Sequence, residues 1–284
     1  MPVISTNNAA NLALNYLNNN SAEETGQIAE LASGSRITQA SSDAAGLAIG
    51  TQLQASVTVY SQDETNVQQG SAILQSADGA LAQISNILQR MMALATEAAS
   101  GQVTNTQRTQ DIGTEYGQLT SQIDTIIKST QYAGQSLLGS VNGSAFLSNV
   151  RFLVGTNSTN TISVSLSAFS GTSLLTNPTT GSVSNNVDTV QAAMAAITQI
   201  NSAINTVTMQ RAQVGAYESR FNFSLQDITT NVQNVSSAES VIMDADVAQV
   251  KSALSANDVR VQASVAALTQ AAQLPQELLR LLQS

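Results

Sequence analysis

The chain has 284 residues, a net charge of −9, and only 10% charged residues. It contains no Cys, His or Trp, which excludes the usual zinc sites, cysteine nucleophiles and Ser-His-Asp triads. We therefore predict that it is not an enzyme and needs no cofactor or metal. It has no basic patch for nucleic acid and no apolar run long enough for a membrane span.

The first predicted element is an amphipathic segment near the N-terminus. Its apolar stripe consists of Leu14, Leu17, Ile28 and Leu31, with polar gaps between them. A helix with so thin a stripe is marginal in water when isolated. This segment therefore needs a partner.

A stronger stripe follows, with apolar residues alternating in steps of three and four. Gly101 comes directly after it and is a plausible C-terminal stop. A second helix is predicted over about residues 105–129, and residues 131–138 are predicted to form a turn. The stripe consists of Leu74, Ala77, Leu81, Ile84, Leu88, Met91, Ala95 and Ala98.

The middle of the chain, residues 140–186, is rich in Ser, Thr, Asn and Gly. Two short runs within 150–154 and 162–166 alternate apolar residues with other residues, and residues 155–160 separate them. This spacing predicts a β-hairpin with a turn-forming loop. Residues 174–186 are predicted to form an exposed loop.

The longest pattern extends from Val190 to Ile242, where apolar residues repeat every 3.5 residues. This period predicts a helix about 80 Å long with a narrow apolar stripe that must pack on another helix. We predict a mainly α fold: a long antiparallel helical hairpin or coiled-coil rod with a small β-hairpin region in the middle of the chain.

The C-terminal segment has a second thin apolar stripe. Two interpretations of the thin stripes at the two ends stay open: the ends pack on one another within one molecule, or they fold only against neighbouring copies. The candidate self-assembly residues of the C-terminal segment are Leu254, Val261, Leu268, Leu278 and Leu282.

Ordered motifs at both ends carry a family resemblance. They are Ile4-Ser5-Thr6-Asn7, LASGSRITQASSDAAGLAIG at 31–50, SADGALAQISNILQRMMALA at 76–95, STQYAGQSLL at 129–138, QRAQVGAYESRF at 210–221, DADVA at 244–248 and QAAQLPQELLRLL at 270–282. Together they resemble the signatures of a bacterial flagellin. RFLVGTNSTNTISVSL at 151–166 resembles that family's outer-wall hairpin.

The resemblance implies a secreted subunit of an extracellular helical filament for swimming. It implies these partners: other copies of the chain, the flagellar export apparatus, an export chaperone and the filament cap. It assigns 1–43 with 247–284 to the inner core of the filament, 44–139 with 187–246 to a helical rod domain, and 140–186 to its hairpin and loop. The resemblance also implies that this chain has no large outer domains. The alternatives are a hook–filament junction protein and a surface adhesin on the same scaffold.

The resemblance also indicates a candidate receptor epitope. In flagellins that Toll-like receptor 5 senses, the helix around residues 88–97 forms part of the epitope. Arg90, Leu94 and Glu115 match that pattern, whereas Ala93 and Glu97 do not. Two interpretations stay open: Arg90 and Glu115 belong to a receptor epitope, or they only form a surface ion pair between neighbouring helices.

Overall fold

The computed structural model describes residues 7–139, 149–167, 174 and 186–283, with the backbone alone for 274 and 276–283. Within these residues the fold is mainly α, as predicted. The elements are α1 (Asn8–Ser33), α2 (Ala44–Ala99), a π-helical segment (Gln107–Ile112), α3 (Gly113–Ser129), β1 (Gln131–Tyr132), β2 (Gln135–Ser136), β3 (Val150–Leu153), β4 (Thr161–Val164), α4 (Val190–Met243) and α5 (Val247–Gln283).

The described chain divides into two compact units. The terminal unit contains Met1–Val57 and Gln233–Ser284, and the central unit contains Thr58–Val232. Both α2 and α4 contribute residues to each unit. The domain limits expected from the sequence, at 43/44 and 246/247, stay a prediction.

The core of the central unit contains the seam between α2 and α4, together with buried residues of α3 and β4. The predicted helix from Val190 to Ile242 is confirmed, since α4 runs from Val190 to Met243. Every residue of the predicted α2 stripe is at most 1% exposed. The α4 side of this core contains the buried residues Ala193, Ile200, Val207, Val214, Phe221 and Ile228.

Two contacts show that α2 and α4 are antiparallel in the central unit. Arg211 donates to both carboxylate oxygens of Asp78, from Nε at 2.9 Å and from Nη2 at 3.1 Å. Further along, Gly70 lies so close to Phe221 that an added Cβ would come within 2.9 Å of the ring. Gly70 therefore allows the two helices to approach closely at this point.

The predicted β-hairpin is confirmed and packs on α4. Strands β3 and β4 are antiparallel, with Phe152 paired to Ile162. The ring of Phe152 meets the ring of Phe221 edge-on, with centroids 5.2 Å apart. The backbone N–H of Ser165 donates to the hydroxyl of Tyr217 at 3.4 Å. These contacts attach the hairpin to the core.

The turn predicted over residues 131–138 is also confirmed. Strands β1 and β2 are joined by Ala133 and Gly134, which have φ values of 49° and 79°. Positive φ at both central residues is the pattern of a tight hairpin turn, and it is uncommon for an alanine. The loop predicted over 174–186 lies outside the described residues except for Leu174 and Asn186.

The helix predicted over about residues 105–129 contains a π-helical segment, Gln107–Ile112, before α3. Arg108 lies in this segment and is 3% exposed. Its Nε donates to the carbonyl of Ala98 at 2.7 Å, and its Nη2 donates to the carbonyl of Val103 at 3.1 Å. Arg108 thus satisfies a carbonyl at the end of α2, which has no partner within its own helix.

We expect the seam to determine the stability of the central unit. Replacing the fully buried Leu88 with Ala should lower the free energy of unfolding by about 2–5 kcal/mol, because it leaves a cavity. Met194→Ala, at a side chain that is 56% exposed, should change it by less than about 0.5 kcal/mol. Chemical denaturation of the monomers measures both values, and equal effects would contradict the core assignment.

Asp63 should make stability depend on pH. Its side chain is 1% exposed, its Oδ2 has no hydrogen-bond partner among the described residues, and burial raises the pKa of its carboxyl. The fold therefore favours the protonated form. The stabilisation that comes from binding a proton at Asp63 is complete below the pKa of this carboxyl in the unfolded chain. It is lost as the pH rises through the higher pKa of the same carboxyl in the folded chain.

The variant Asp63→Asn lacks the charge and should therefore have a larger free energy of unfolding than the wild type at pH 7. The two curves should converge below about pH 4, where the unfolded-state carboxyl becomes protonated. Denaturation at several pH values gives the difference, with the exposed Asp111→Asn as the matched control. A difference that does not change between pH 3 and pH 7 would exclude Asp63 as its source.

Candidate functional site

In the terminal unit, local capping groups set the ends of the helices. The side chain of Asp246 accepts from the backbone N–H of Ala248 at 3.0 Å and of Gln249 at 3.1 Å, which caps the start of α5. Asp43 accepts from the N–H of Gly46 at 2.8 Å at the start of α2. These acidic residues satisfy N–H groups that lack partners in the first helical turn.

The α1–α2 connection bonds directly to the α4–α5 connection. The N–H of Arg36 donates to the carbonyl of Met243 at 2.7 Å, and the N–H of Ala245 donates to the carbonyl of Gly34 at 2.9 Å. The carboxylate of Asp244 accepts from the hydroxyl of Ser240 at 2.5 Å. Asp244 and Asp246 therefore have separate structural partners in the terminal unit.

Asparagine side chains join α1 to α5 in an antiparallel pair. The side-chain amide of Asn7 donates to the carbonyl of Ala271 at 2.7 Å. Asn20 donates to the hydroxyl of Ser264 at 2.9 Å. Asn257 donates in the opposite direction, to the carbonyl of Asn20 at 2.8 Å. The ends therefore pack on one another in this structure, which is the first of the two interpretations.

The apolar contact between α1 and α5 is nevertheless thin. No residue of α1 is buried, and the buried residues described in α5 are Asn257 and Ala271. The buried oxygens Gln27 Oε1 and Asn257 Oδ1 have no hydrogen-bond partner among the described residues. Such groups cost free energy, so this pair is held less firmly than the central seam.

The candidate self-assembly residues occupy two kinds of position. Leu14 and Ile28 are 44% and 50% exposed. Leu278 and Leu282 lie outside the described side chains. The others are half-buried: Leu17, Leu31, Leu254, Val261 and Leu268.

Further apolar side chains are exposed on α1. Leu12 and Tyr16 are each 60% exposed and, being four residues apart, share one face of the helix. Leu14 follows Leu12 by two residues, hence about 200° around the helix. The half-buried Leu17 and Leu31 lie between these directions. α1 thus presents apolar side chains on both sides of its contact with α5.

Helix α5 shows the same feature. Val247, Val259 and Val265 are 54%, 65% and 46% exposed. Val259 follows Val247 by twelve residues, about 120° around the helix, so these side chains point in different directions. A helix pair with apolar residues in several directions needs more than one neighbour to cover them.

The candidate receptor residues lie in the central unit, and the structure separates them by burial. Arg90 donates to both carboxylate oxygens of Glu115, from Nε at 2.7 Å and from Nη2 at 2.9 Å. Their side chains are 55% and 43% exposed. Leu94 is only 2% exposed and belongs to the core. The exposed part of this candidate site is therefore the Arg90–Glu115 pair.

In the part of the chain that the structure describes, no three His, Cys, Asp or Glu residues cluster as metal ligands would. The described helices include none that is both apolar and long enough to cross a membrane.

Sequence reasoning missed the polar residues that hold the terminal unit and the end of α2 together. Asn20 and Asn257 bond to residues that are distant in sequence, as does the side-chain amide of Asn7. Arg108 donates to main-chain carbonyls five to ten residues before it. No local spacing marks these contacts. The capping position of Asp246 had a usable signal, an acidic residue directly before an apolar helical pattern.

Comparison with known proteins gives the family. The bacterial flagellin N-terminal helical region matches residues 4–143, and the bacterial flagellin C-terminal helical region matches residues 197–282. The chain is 32% identical to flagellin of Bacillus subtilis, over 98% of this chain and 99% of the relative. It is 31% identical to the flagellar filament 30.7 kDa core protein of Treponema maltophilum, over 99% of each chain.

A solved structure of a Vibrio parahaemolyticus protein described as flagellar hook-associated has a similar fold. The TM-score is 0.59 and the sequence identity 14%, over 71% of this chain and 99% of that one. This likeness concerns the fold alone. The full-length identities and the matches at both ends establish the family: the chain belongs to the bacterial flagellins.

Proposed function

We propose that this chain is the structural subunit that polymerises into a bacterial flagellar filament for swimming. Family membership supports a structural role rather than catalysis. The observation that carries the proposal is the exposure of large apolar side chains on several sides of the α1–α5 pair. Neighbouring copies in a filament supply the apolar partners that a single copy lacks.

The inner core of the filament would consist of residues 1–43 with 247–284. Residues 44–139 with 187–246 would form the surrounding helical domain, and 140–186 its hairpin and loop. Since the relatives from Bacillus subtilis and Treponema maltophilum match almost end to end, the short middle of this chain supports a filament without large outer domains.

Secretion is the second part of the proposal. We propose that the flagellar export apparatus delivers the chain to an extracellular filament, with an export chaperone and the filament cap as further partners. The thin contact between α1 and α5 supports this route, because little buried apolar surface is lost when the two helices separate. Family membership is the other support.

The alternatives receive less support. The Treponema maltophilum relative is a flagellar filament core protein, whereas the hook-associated structure shares only the fold. A surface adhesin would bind its ligand as a monomer, and no observation on this chain favours that activity.

We propose that the exposed pair Arg90–Glu115 is the part of the candidate epitope that contacts the receptor. The Arg90–Glu115 pair is exposed and bidentate, so it offers a fixed polar surface to Toll-like receptor 5. Leu94 is buried and would contribute by holding α2 in place. The interpretation as a plain surface ion pair between α2 and α3 remains the alternative.

Deleting residues 254–284 should leave the central unit folded and abolish filament formation. The central unit has its own core, whereas the deletion removes most of α5 and the contacts of Asn257 and Ser264 with α1. Circular dichroism with thermal unfolding measures folding, and electron microscopy after seeding measures filaments. Full-length chain is the positive control.

Hydrogen exchange on full-length monomers examines the same coupling between folding and assembly. Residues 8–33 should exchange much faster than residues 74–98, because no residue of α1 is buried. Filaments from the shortened chain, or equal protection of the two helices in monomers, would contradict coupled folding and assembly.

Arg90→Ala should lower signalling by monomers through Toll-like receptor 5 without unfolding them. The exposed ion pair contributes only about 0–1 kcal/mol to stability, so a loss of signal would reflect the receptor contact. Glu115→Gln, which keeps the shape of the side chain, is the companion variant. Wild-type monomer without any signal would leave the surface ion pair as the interpretation.

A further inference from the structure

The last residue of α4, Met243, bonds to the α1–α2 connection within the terminal unit. Its carbonyl accepts from the backbone N–H of Arg36 at 2.7 Å and from the hydroxyl of Ser35 at 3.0 Å. Two residues later, the N–H of Ala245 donates to the carbonyl of Gly34 at 2.9 Å. The position of Met243 therefore helps to fix the contact between the α1–α2 and α4–α5 connections.

The side chain of Met243 lies directly on a glycine of α2. A Cβ added at Gly50 would come within 2.2 Å of the Met243 sulfur and within 2.6 Å of its Cγ. Both distances are far shorter than a van der Waals contact, so a residue with a side chain does not fit here while the thioether stays in place. We call this contact the Gly50 notch. Gly50 and Met243 both belong to the terminal unit.

Methionine side chains are the only sulfur groups of this protein, since the chain has six methionines and no cysteine. Met91 is buried in the core, whereas Met194 and Met209 are exposed on α4. Met243 is half-buried, so part of its side chain is open to solvent. An oxidant must reach a thioether in order to oxidise it. Met243 therefore combines partial access from solvent with a close contact to another helix.

We propose that Met243 is an oxidation site, at which a hydroperoxide such as hydrogen peroxide converts the thioether to a sulfoxide and so opens the contact at the Gly50 notch. The sulfur lone pair attacks one peroxide oxygen: an S–O bond forms, the O–O bond breaks, and the departing hydroxide takes the remaining proton and leaves as water. The sulfur is oxidised by two electrons and the peroxide is reduced by two. The expected effect on filament assembly rests on the proposed function.

The sulfoxide fits the Gly50 notch poorly for two reasons. It carries an extra oxygen on the sulfur, where the backbone of α2 is already in close contact. It is also polar, and a polar oxygen without a donor in a buried contact costs free energy. We expect the oxidised side chain to leave the notch, which weakens the hydrogen bond between Arg36 and Met243. Since α1 and α5 adjoin these connections, their thin contact should weaken as well.

The Gly50 notch is tested first without an oxidant. Alanine is normally more favourable than glycine within a helix, but Gly50→Ala should lower the midpoint of thermal unfolding because its Cβ overlaps the thioether. Gly79→Ala in the same helix is the matched control and should not lower it, since an added Cβ there meets nothing within 4 Å. Adding Met243→Ala to Gly50→Ala should recover most of the loss. A Gly50→Ala variant as stable as Gly79→Ala would overturn the notch.

The oxidation test uses a parent chain with Met194→Leu and Met209→Leu, which removes two exposed sulfurs and keeps apolar side chains of similar size. Monomers of this parent chain are treated with hydrogen peroxide, and mass spectrometry locates the added oxygen. Hydrogen exchange at Arg36 and Ala245 measures the contact between the two connections. Sedimentation after seeding gives the critical concentration for assembly.

Oxidation of Met243 in the parent chain should speed exchange at Arg36 and raise the critical concentration about tenfold, as expected for a misfit in a close contact. With Met243→Leu added, the same treatment should change the critical concentration by less than about twofold relative to its own untreated sample, since leucine has no thioether. The matched control is Met92→Leu, at a half-buried side chain of α2 in the central unit, and it should stay as sensitive as the parent. Methionine sulfoxide reductases should restore exchange and assembly.

Three results would overturn the inference. If Met243 stays unoxidised while Met209 of the wild type is fully converted, its sulfur is not accessible. If Met243 is oxidised and exchange at Arg36 does not change, the notch does not hold the connections together. Equal loss of assembly in the treated Met243→Leu chain would assign the effect to another methionine. Wild-type chain that forms no filaments would overturn the proposed function, whereas the exchange measurement would still decide the role of Met243.

Discussion

The contact between α2 and α4 is the constraint on which the central unit depends. Leu74, Leu81 and Leu88 from α2 are fully buried, together with Ile200 and Val214 from α4. The Asp78–Arg211 pair at the edge of this seam has side chains 34% and 41% exposed, so it contributes at most about 1 kcal/mol. Burial of one core leucine is worth several times more. Apolar packing, not the ion pair, therefore holds the helices together, and the hairpin is attached through Phe221 in the same seam.

The terminal unit follows a different physical design. Its helices α1 and α5 are joined by asparagine hydrogen bonds to backbone and hydroxyl groups, and no residue of α1 is buried. Each of these bonds adds only about 1 kcal/mol net. A firmly packed central unit and a loosely held terminal pair suit a subunit whose ends must remain available to other copies.

The sequence predicted secondary structure best where apolar residues keep one repeat period over many residues. Steps of three and four over residues 74–98 and 190–242 predicted the two long helices and their buried sides, because a repeated apolar stripe must be covered whatever its partner. In 150–154 and 162–166, apolar residues alternate with other residues. This alternation predicted the hairpin, because every second side chain of a strand lies on the same face and an apolar face must be covered. The candidate self-assembly residues stay a prediction, and those whose side chains are described are half-buried or exposed.

By itself, then, the sequence determined the helices, the hairpin and, through its ordered end motifs, the family. Only the tertiary structure decided which surfaces meet: that Asn7, Asn20 and Asn257 join the ends, that Arg108 closes the end of α2, and that Leu94 is buried while Arg90 is exposed. The physical reason is that periodicity specifies which side of an element must be buried but not which element covers it. Polar contacts between distant residues also have no repeat that a sequence could display.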